Sequence, residues 1–463
     1  MSVISASTHA SRAAIASLAG CVLLASFGLS SANIALPMLS REPGASFAIA
    51  QWVVLAYLLT STAMMVAAGR LGDLFGRRRL LLGGLALFGF ASLCCALPDF
   101  RLLLAARAAQ GMGAALMLAL SMAMATDIAP DGRTGRAMGL LGAMSAIGTA
   151  LGPSLGGLLL AYWHWRTLFL INAPAAWWLW RSARRHLPAG APAKGDWRRF
   201  DFPGAALLAL ALFAYALCLS GGSRQPLPSA AIAALALAAF ILRQQRCSQP
   251  ILPLKVLKET ALARGVIMSG LVACVMMTTL VVGPFHLHRA LGLTPTEAGL
   301  AMAVGPVMSA LAGVPAGRLT DCWGAGSMTL CGLLLMLLGT LLLWLLPDAL
   351  GLAAYLGGLA PLTAGYALFQ AANNTQVMGA AGPQRRGLFS GLLNLARNAG
   401  LISGAAMMGA VFLAATGAAQ PATAAPLAVA RGMHITFMSA AAMVMLATLI
   451  ASANLAKPQK TAV

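Results

Sequence analysis

The chain has 463 residues, 60% of them hydrophobic and 9% charged, with a mean hydropathy of +0.82. Soluble domains carry about a quarter charged residues, so this composition excludes one and describes a polytopic membrane protein. The net charge of +20 falls between apolar runs, as in cytoplasmic loops beside anionic lipid, and does not imply a nucleic-acid partner.

At about 20 apolar residues per span, the first expected helix is Ala13–Leu39. Within it Leu18-Ala19-Gly20-Cys21 resembles a lipoprotein cleavage box, but the apolar run continues past Cys21, so a spanning helix is the better reading. The second span, Ala48–Ala68, ends at Gly69-Arg70-Leu71-Gly72-Asp73-Leu74-Phe75-Gly76-Arg77-Arg78-Arg79. Glycines permit a tight turn at the membrane surface, and the arginines hold it on the cytoplasmic side. Leu80–Leu97, Leu102–Ala125, Ala137–Tyr162 and Leu168–Trp180 follow. A stretch rich in Arg, Pro, Gly and Ala, Arg181 to Asp201, separates these from two compact spans, Phe202–Ser220 and Pro228–Leu242. After a basic segment come Leu262–Phe285, Thr296–Ala316, Met328–Leu346, Ala349–Met378, Gly387–Thr416 and Met433–Leu455, fourteen spans in total.

The turn after the second span recurs after the tenth. Gly317-Arg318-Leu319-Thr320-Asp321-Cys322-Trp323-Gly324 repeats G-R-L-x-D-x-x-G at an offset of 248 residues. Gly139, Gly148 and Gly152 in the fifth span match Gly391, Gly400 and Gly404 in the thirteenth at an offset of 252. Such duplication reads as two six-helix halves with a two-helix insert, the plan of parallel-repeat transporters. The expected parts are a first bundle at 1–184, linker and insert at 185–258, and a second bundle at 259–463. With the N-terminus cytoplasmic, about 23 Lys/Arg fall inside and six outside, which places both termini in the cytoplasm of a cell bounded by an inner (plasma) membrane.

Gly148, Gly152 and Gly156 are four apart and line one helix face, where a neighbouring helix can approach; Pro153 bends that helix, and Gly157 follows. The spacing G-x8-G-x3-G-P-x2-G-G resembles motif C, the antiporter signature of the major facilitator superfamily. The Gly69–Arg79 stretch resembles motif A of that superfamily, and Arg107-x-x-Gln110-Gly111-x-Gly113 resembles motif B. With fourteen spans, the chain is similar to the drug:proton antiporters of that superfamily, an all-α fold. The resemblance implies alternating access and export. It assigns conformational switching to Gly69, Asp73, Gly76, Arg77, Arg78, Gly148, Gly152, Pro153, Gly156 and Gly157. Asp73 would pair with basic residues or a helix N-terminus. Where the family usually has a basic residue after that aspartate, this chain has Leu74, so the pairing must lean on Arg77 or Arg78.

Arg107 is a charge inside a span, expensive there and a functional candidate, although an arginine bonded to backbone for packing is the alternative. The other polar residues within spans are pathway candidates: Asn33, Gln110, Asn172, Gln370, Asn373, Asn374, Asn394 and Arg397. Aromatic faces at Trp52, Tyr57, Trp177 and Tyr366 are candidates for holding cations. All eleven acids fall in loops or near span ends, and the position aligned with the family's first-span acid is Gly28. The cavity is therefore expected to be neutral to positive. Proton carriers, if protons are coupled, are expected among peripheral groups: Asp73, Asp127, Glu297, His286 and His288.

The expected function is secondary active export of amphipathic drugs or toxic organic compounds in exchange for protons. The alternative is an uncoupled or differently coupled exporter of an anionic or neutral metabolite. No catalytic motif, metal-ligand cluster or C-x-x-C occurs, so neither an enzyme nor a cofactor or metal site is indicated. The expected partners are small amphipathic substrates, protons and the lipid bilayer, around a monomer.

Overall fold

The computed structural model describes residues 2–39, 47–97, 99–129, 133–189, 200–219, 226–247, 250–252, 260–347, 350–382, 385–417 and 424–455. Among them the fold is all helical. The first half comprises α1 (Ser2–Leu39), α2 (Phe47–Phe75), α3 (Arg77–Cys94), α4 (Phe100–Ile128), α5 (Thr134–Tyr162), α6 (Thr167–Leu170) and α7 (Asn172–His186). Helices α8 (Phe202–Leu219) and α9 (Pro226–Arg246) form the insert. The second half comprises α10 (Thr260–Phe285), α11 (Pro295–Trp323), α12 (Ala325–Leu345), α13 (Gly351–Ala380), α14 (Arg386–Thr416) and α15 (Pro426–Leu455). A π-helical turn, His286–Ala290, extends α10.

Each of the fourteen apolar stretches overlaps this helical set. Among the described residues, nine helices are long and apolar enough to cross a membrane, ten if the bent pair Trp52–Met65 and Ala67–Phe75 is one span. Among the other helices, α3 opens on three arginines, and α7 has 15 residues and ends on Arg184, Arg185 and His186. The sixth stretch divides at Ile171 into α6 and α7. Pro174 accounts for the break, because it lacks the N–H that would close onto the Leu170 carbonyl. Asp127, read from sequence as part of a loop, lies instead in the last turn of α4.

The duplication is visible in the backbone. One residue joins α2 to α3 and one joins α11 to α12: Gly76 at φ +91°, ψ 120° and Gly324 at φ +85°, ψ 145°. The hydrogen bonds repeat as well. Gly76 N–H donates to Gly72 O at 3.1 Å and Gly324 N–H to Thr320 O at 3.1 Å. Such φ values belong to glycine, which explains why G-R-L-x-D-x-x-G ends as it does.

The chain forms two compact units that do not coincide with its linear halves. One is Met1–Asp131, Met144–Glu259 and Met378–Leu395; the other is Gly132–Ala143, Thr260–Val377 and Ala396–Val463. In the first unit, Trp165 and Phe169 meet edge to face at 5.9 Å over a core with Val53, Leu103 and Leu168. The second is built around Met336, Tyr355, Phe369, Phe412 and Phe437. The insert belongs to the first unit, where Phe213 of α8 packs on Trp52 of α2 with ring centroids 5.8 Å apart. Asp201 clasps the insert: it accepts from Arg243 Nε at 2.7 Å and Gln244 Nε2 at 2.8 Å, while Gln244 Oε1 accepts from Leu252 N–H at 2.9 Å.

Candidate functional site

The turn after α2 makes a latch in the first unit. Gly69 lies so close to the start of α14 that a Cβ there would sit 2.0 Å from the Gly387 carbonyl oxygen. That approach brings the Asp73 carboxylate onto the first turn of α14, where it accepts the Leu388 N–H at 3.3 Å. Free N–H groups at a helix start suit an anion. Arg77 donates to Asp73 from Nε at 3.1 Å and Nη2 at 2.7 Å, and its Nη1 reaches Asp127. Asp127 also accepts from Arg386 Nη1 at 2.5 Å. Arg77 is thus the arginine on Asp73, while Arg78 donates to the Arg184 carbonyl at 2.5 Å. Leu74 is partly buried.

The second unit holds the counterpart. Asp321 accepts the Gly135 N–H at 2.6 Å and the Arg136 N–H at 3.0 Å, both at the start of α5. Gly317 again allows the approach, since a Cβ on it would lie 2.4 Å from the Gly135 carbonyl oxygen. The residue 248 positions after Arg77 is Ala325, so this latch has no equivalent arginine. The Arg136 Nε stands 3.6 Å from Asp321. Asp321, Gly135, Arg136, Asp127 and Arg386 are residues that the sequence reading left out of the switch. The recurring motif was the available signal for Asp321; the others have a role only once distant segments meet.

The glycine row of α5 lies against α1. A Cβ on Gly148 would be 2.4 Å from the Leu23 carbonyl oxygen, and one on Gly152 would be 2.2 Å from Ser30 Oγ. Ser30 Oγ donates to the Gly148 carbonyl at 3.1 Å, and Ser26 and Ser145 share a hydrogen bond of 3.0 Å. Gly400 and Gly404 of α14 meet α10 in the same way, at the carbonyls of Gly270 and Cys274. Gly156 is buried. The side chain of Pro153 and the surroundings of Gly157 lie outside the described residues.

Arg107 is completely buried and carries a network of neutral acceptors. Its Nε donates to the Val53 carbonyl at 2.9 Å, and its Nη1 to the Gly28 carbonyl at 3.0 Å and to Gln110 Oε1 at 2.5 Å. Gln110 Nε2 continues to Ser92 Oγ at 2.7 Å. The guanidinium lies 4.4 Å from the Tyr57 ring centroid and 5.5 Å from that of Phe169. The Tyr57 hydroxyl donates to the Ala25 carbonyl at 2.7 Å, so this aromatic serves the internal arginine. Arg107 Nη2 is buried without a hydrogen-bond partner among the described residues. At Gly28, the position that the motif resemblance aligns with a first-span acid, the backbone carbonyl meets the arginine.

The remaining pathway candidates are dispersed. Asn172 is buried and donates to the Leu168 carbonyl at 3.0 Å. Asn394, also in the first unit, donates to the Ser390 carbonyl at 2.9 Å, and Ser390 Oγ donates to the Ala119 carbonyl at 2.6 Å. In the second unit Asn373 ties α13 to α10 through the Gly265 carbonyl at 3.1 Å and Ser269 Oγ at 2.9 Å. Asn374 is buried, Gln370 borders Gly142, and Arg397 holds its Nε buried without a hydrogen-bond partner among the described residues. The Asn33 side chain lies outside the described residues, as do Glu42, Asp131, Asp196, Glu259 and Asp348. Among the described residues no group of three His, Cys, Asp or Glu forms a metal-holding cluster.

Comparison with known proteins places this geometry in context. The family model of the Major Facilitator Superfamily matches residues 18–405. The uncharacterized transporter YebQ of Escherichia coli (strain K12) is 31% identical over 437 residues, 93% of each chain. The multidrug resistance protein Stp of Mycobacterium tuberculosis (strain CDC 1551 / Oshkosh) is 32% identical over 394 residues, which cover 82% of this chain and 72% of Stp. In fold the chain resembles the human organic anion transporter MFSD10 (TETRAN), with a TM-score of 0.68 and 15% identity over 95% of this chain and 99% of that one.

Proposed function

The chain belongs to the major facilitator superfamily, as a multi-pass secondary transporter and not an enzyme, and from that premise we propose that it exports amphipathic organic compounds in exchange for protons. The observation that carries this reading is the pair of latches, Asp73 on the start of α14 and Asp321 on the start of α5. Each is a carboxylate on a helix terminus, strong enough to hold one state and weak enough to release, at about 1–2 kcal/mol. In alternating access both are made in one state and broken in the other. The resemblance of the α5 glycine row to motif C, with the similarity to a protein named for multidrug resistance, supports drug efflux as the direction and class.

Under this reading fourteen spans cross the inner membrane with both termini cytoplasmic, in parts 1–184, 185–258 and 259–463, and the transporter works as a monomer. Gly69, Asp73, Gly76, Arg77, Arg78 and the Gly148–Gly157 row switch conformation. Arg107, Gln110 and the span amides, with Arg397, line the path. An arginine whose hydrogen-bond acceptors among the described residues are carbonyls and an amide has no carboxylate to neutralise it, which favours neutral or anionic amphiphiles over cations. That same observation favours the second reading, an exporter of one anionic or neutral metabolite without proton exchange.

Proteoliposomes of the purified chain, loaded in turn with ethidium, chloramphenicol and fluorescein as cationic, neutral and anionic probes, separate the two. Under an imposed pH gradient we expect uphill movement of the neutral and anionic probes, abolished when the gradient is collapsed. Uphill movement of ethidium alone removes the charge argument. Downhill movement indifferent to the gradient favours the second reading.

A further inference from the structure

We propose that His286, paired with the phenol of Tyr355, is the group that carries the coupling proton; the inference rests on the proton-exchange reading above. Coupling needs a side chain that titrates near neutral pH and whose surroundings change with conformation. The described carboxylates are committed elsewhere. Asp99 caps α4, Glu297 closes a capping box with Thr294, and Asp201 clasps the insert. Asp73, Asp127 and Asp321 build the latches.

His286 differs from all of these. It lies inside the apolar span Leu262–Ala290, is only 3% exposed, and is the one buried histidine among the described residues. The sequence reading placed it with peripheral, solvated groups; the fold instead buries it against Tyr355, with ring centroids 6.3 Å apart and planes 25° from parallel. The Tyr355 hydroxyl is itself buried and has no hydrogen-bond partner among the described residues, an arrangement that costs free energy. It offers an imidazolium N–H an acceptor, and its ring offers a cation–π face, both within a small shift of the histidine.

The backbone beneath His286 is suited to such a shift. Pro284 lies inside α10 and withholds one rung of its ladder, and after Phe285 the five residues His286–Ala290 form a π-helical turn. Single π turns within α-helices recur at functional sites. The other ionisable groups on the elements packed here are accounted for. His288 and Arg289 on the turn, Glu297 on α11 and Arg431 on α15 are exposed, and His434 on α15 engages the Trp344 carbonyl. A proton arriving at His286 charges an apolar core that includes Val282, Leu287 and Met433. Burying that charge is costly, so protonation and a change of packing are linked.

Hydrogen–deuterium exchange of the full chain in lipid nanodiscs tests this without knowledge of the substrate. Exchange is followed at the starts of α5 and α14, where the latches sit, at about pH 6 and about pH 8, with times scaled for intrinsic chemistry. For the wild type we expect a pH-dependent change in protection, up to about tenfold per pH unit for one linked proton. His286→Gln is expected to abolish the dependence, whereas His288→Gln and His434→Gln keep it and Tyr355→Phe moves its midpoint. A wild-type response retained in His286→Gln overturns the proposal. If His286→Gln does not fold, Tyr355→Phe decides, and an unmoved midpoint is the overturning result. A wild type without any pH response defeats the proton-exchange reading itself, and the proposal with it.

Discussion

Asp73 accepts the amide of Leu388, 315 positions later in the chain, at the first turn of α14. Asp321 does the same for Gly135 at the first turn of α5, so the two latches are copies with unequal support. Around Asp73, Arg77 also holds Asp127, which holds Arg386; Asp321 has an ion pair with Arg136 at 3.6 Å and the charge of Arg133 nearby. Asp73→Ala leaves the Arg386–Asp127–Arg77 chain in place, whereas Asp321→Ala removes the whole second latch. We therefore expect Asp321→Ala to free the start of α5 by about 1–2 kcal/mol and Asp73→Ala to free the start of α14 by less. Amide exchange at the two helix starts measures both, and the reverse order would remove the asymmetry.

Gly76 and Gly324 hold positive φ in a one-residue connection, where a Cβ meets its own backbone. Gly76→Ala and Gly324→Ala should each lower stability by about 1–2 kcal/mol through backbone strain. Gly83 is the control. It is helical, and a Cβ there meets nothing within 4 Å, so Gly83→Ala should be neutral or slightly stabilising. Thermal unfolding of the three variants in one detergent gives the comparison. Equal losses at Gly76 and Gly83 would show that the turn tolerates a side chain.

The helices and the glycine turns were legible because both follow from local chemistry: apolar length, and a backbone that only glycine adopts. The duplicated motif also pointed to Asp321 as a partner to Asp73. What stayed hidden depends on contacts between distant segments. Nothing in Arg77-Arg78-Arg79 says which arginine meets Asp73, because the choice is made by the packing of α3 beside α7, where Arg78 finds the Arg184 carbonyl. Tyr57 reads in sequence as an aromatic free to hold a substrate, and only the fold commits its ring to Arg107. His286 reads as the end of a span next to a loop, and the π turn that buries it has no signature beyond Pro284.

Gly148 and Gly152 touch α1 through different atoms, so their alanine variants should respond differently to repair. The obstacle to Gly152→Ala is the Ser30 side chain, with Oγ at 2.2 Å and Cβ at 2.5 Å from the added carbon, and the Ser30 backbone carbonyl carbon follows at 2.7 Å. The obstacle to Gly148→Ala is the Leu23 carbonyl oxygen, at 2.4 Å. Overpacking of this kind costs about 1–3 kcal/mol. Adding Ser30→Gly to Gly152→Ala should recover part of the loss in thermal stability and transport, whereas the same change should not help Gly148→Ala. Full recovery of Gly148→Ala would mean that α1 moves as a unit and that the close approach is not specific.

The insert should respond to acid through Asp201. Burial works against its charge, but hydrogen bonds from Arg243, the Gly204 N–H and Gln244 outweigh it and hold the carboxyl below the usual carboxylate range. A depressed folded value means that the clasp contributes its stability above the unfolded-state pKa, near 4, and loses it as the pH falls through the lower folded value. Thermal unfolding followed from neutral pH down to about pH 3 should therefore steepen in the wild type relative to Asp201→Asn, which has no proton to take up. Asp201→Asn should also be less stable at neutral pH, because an amide in that place sets one N–H group against the donors of Arg243 and Gln244. Parallel acid profiles for the two proteins would show that the clasp does not titrate.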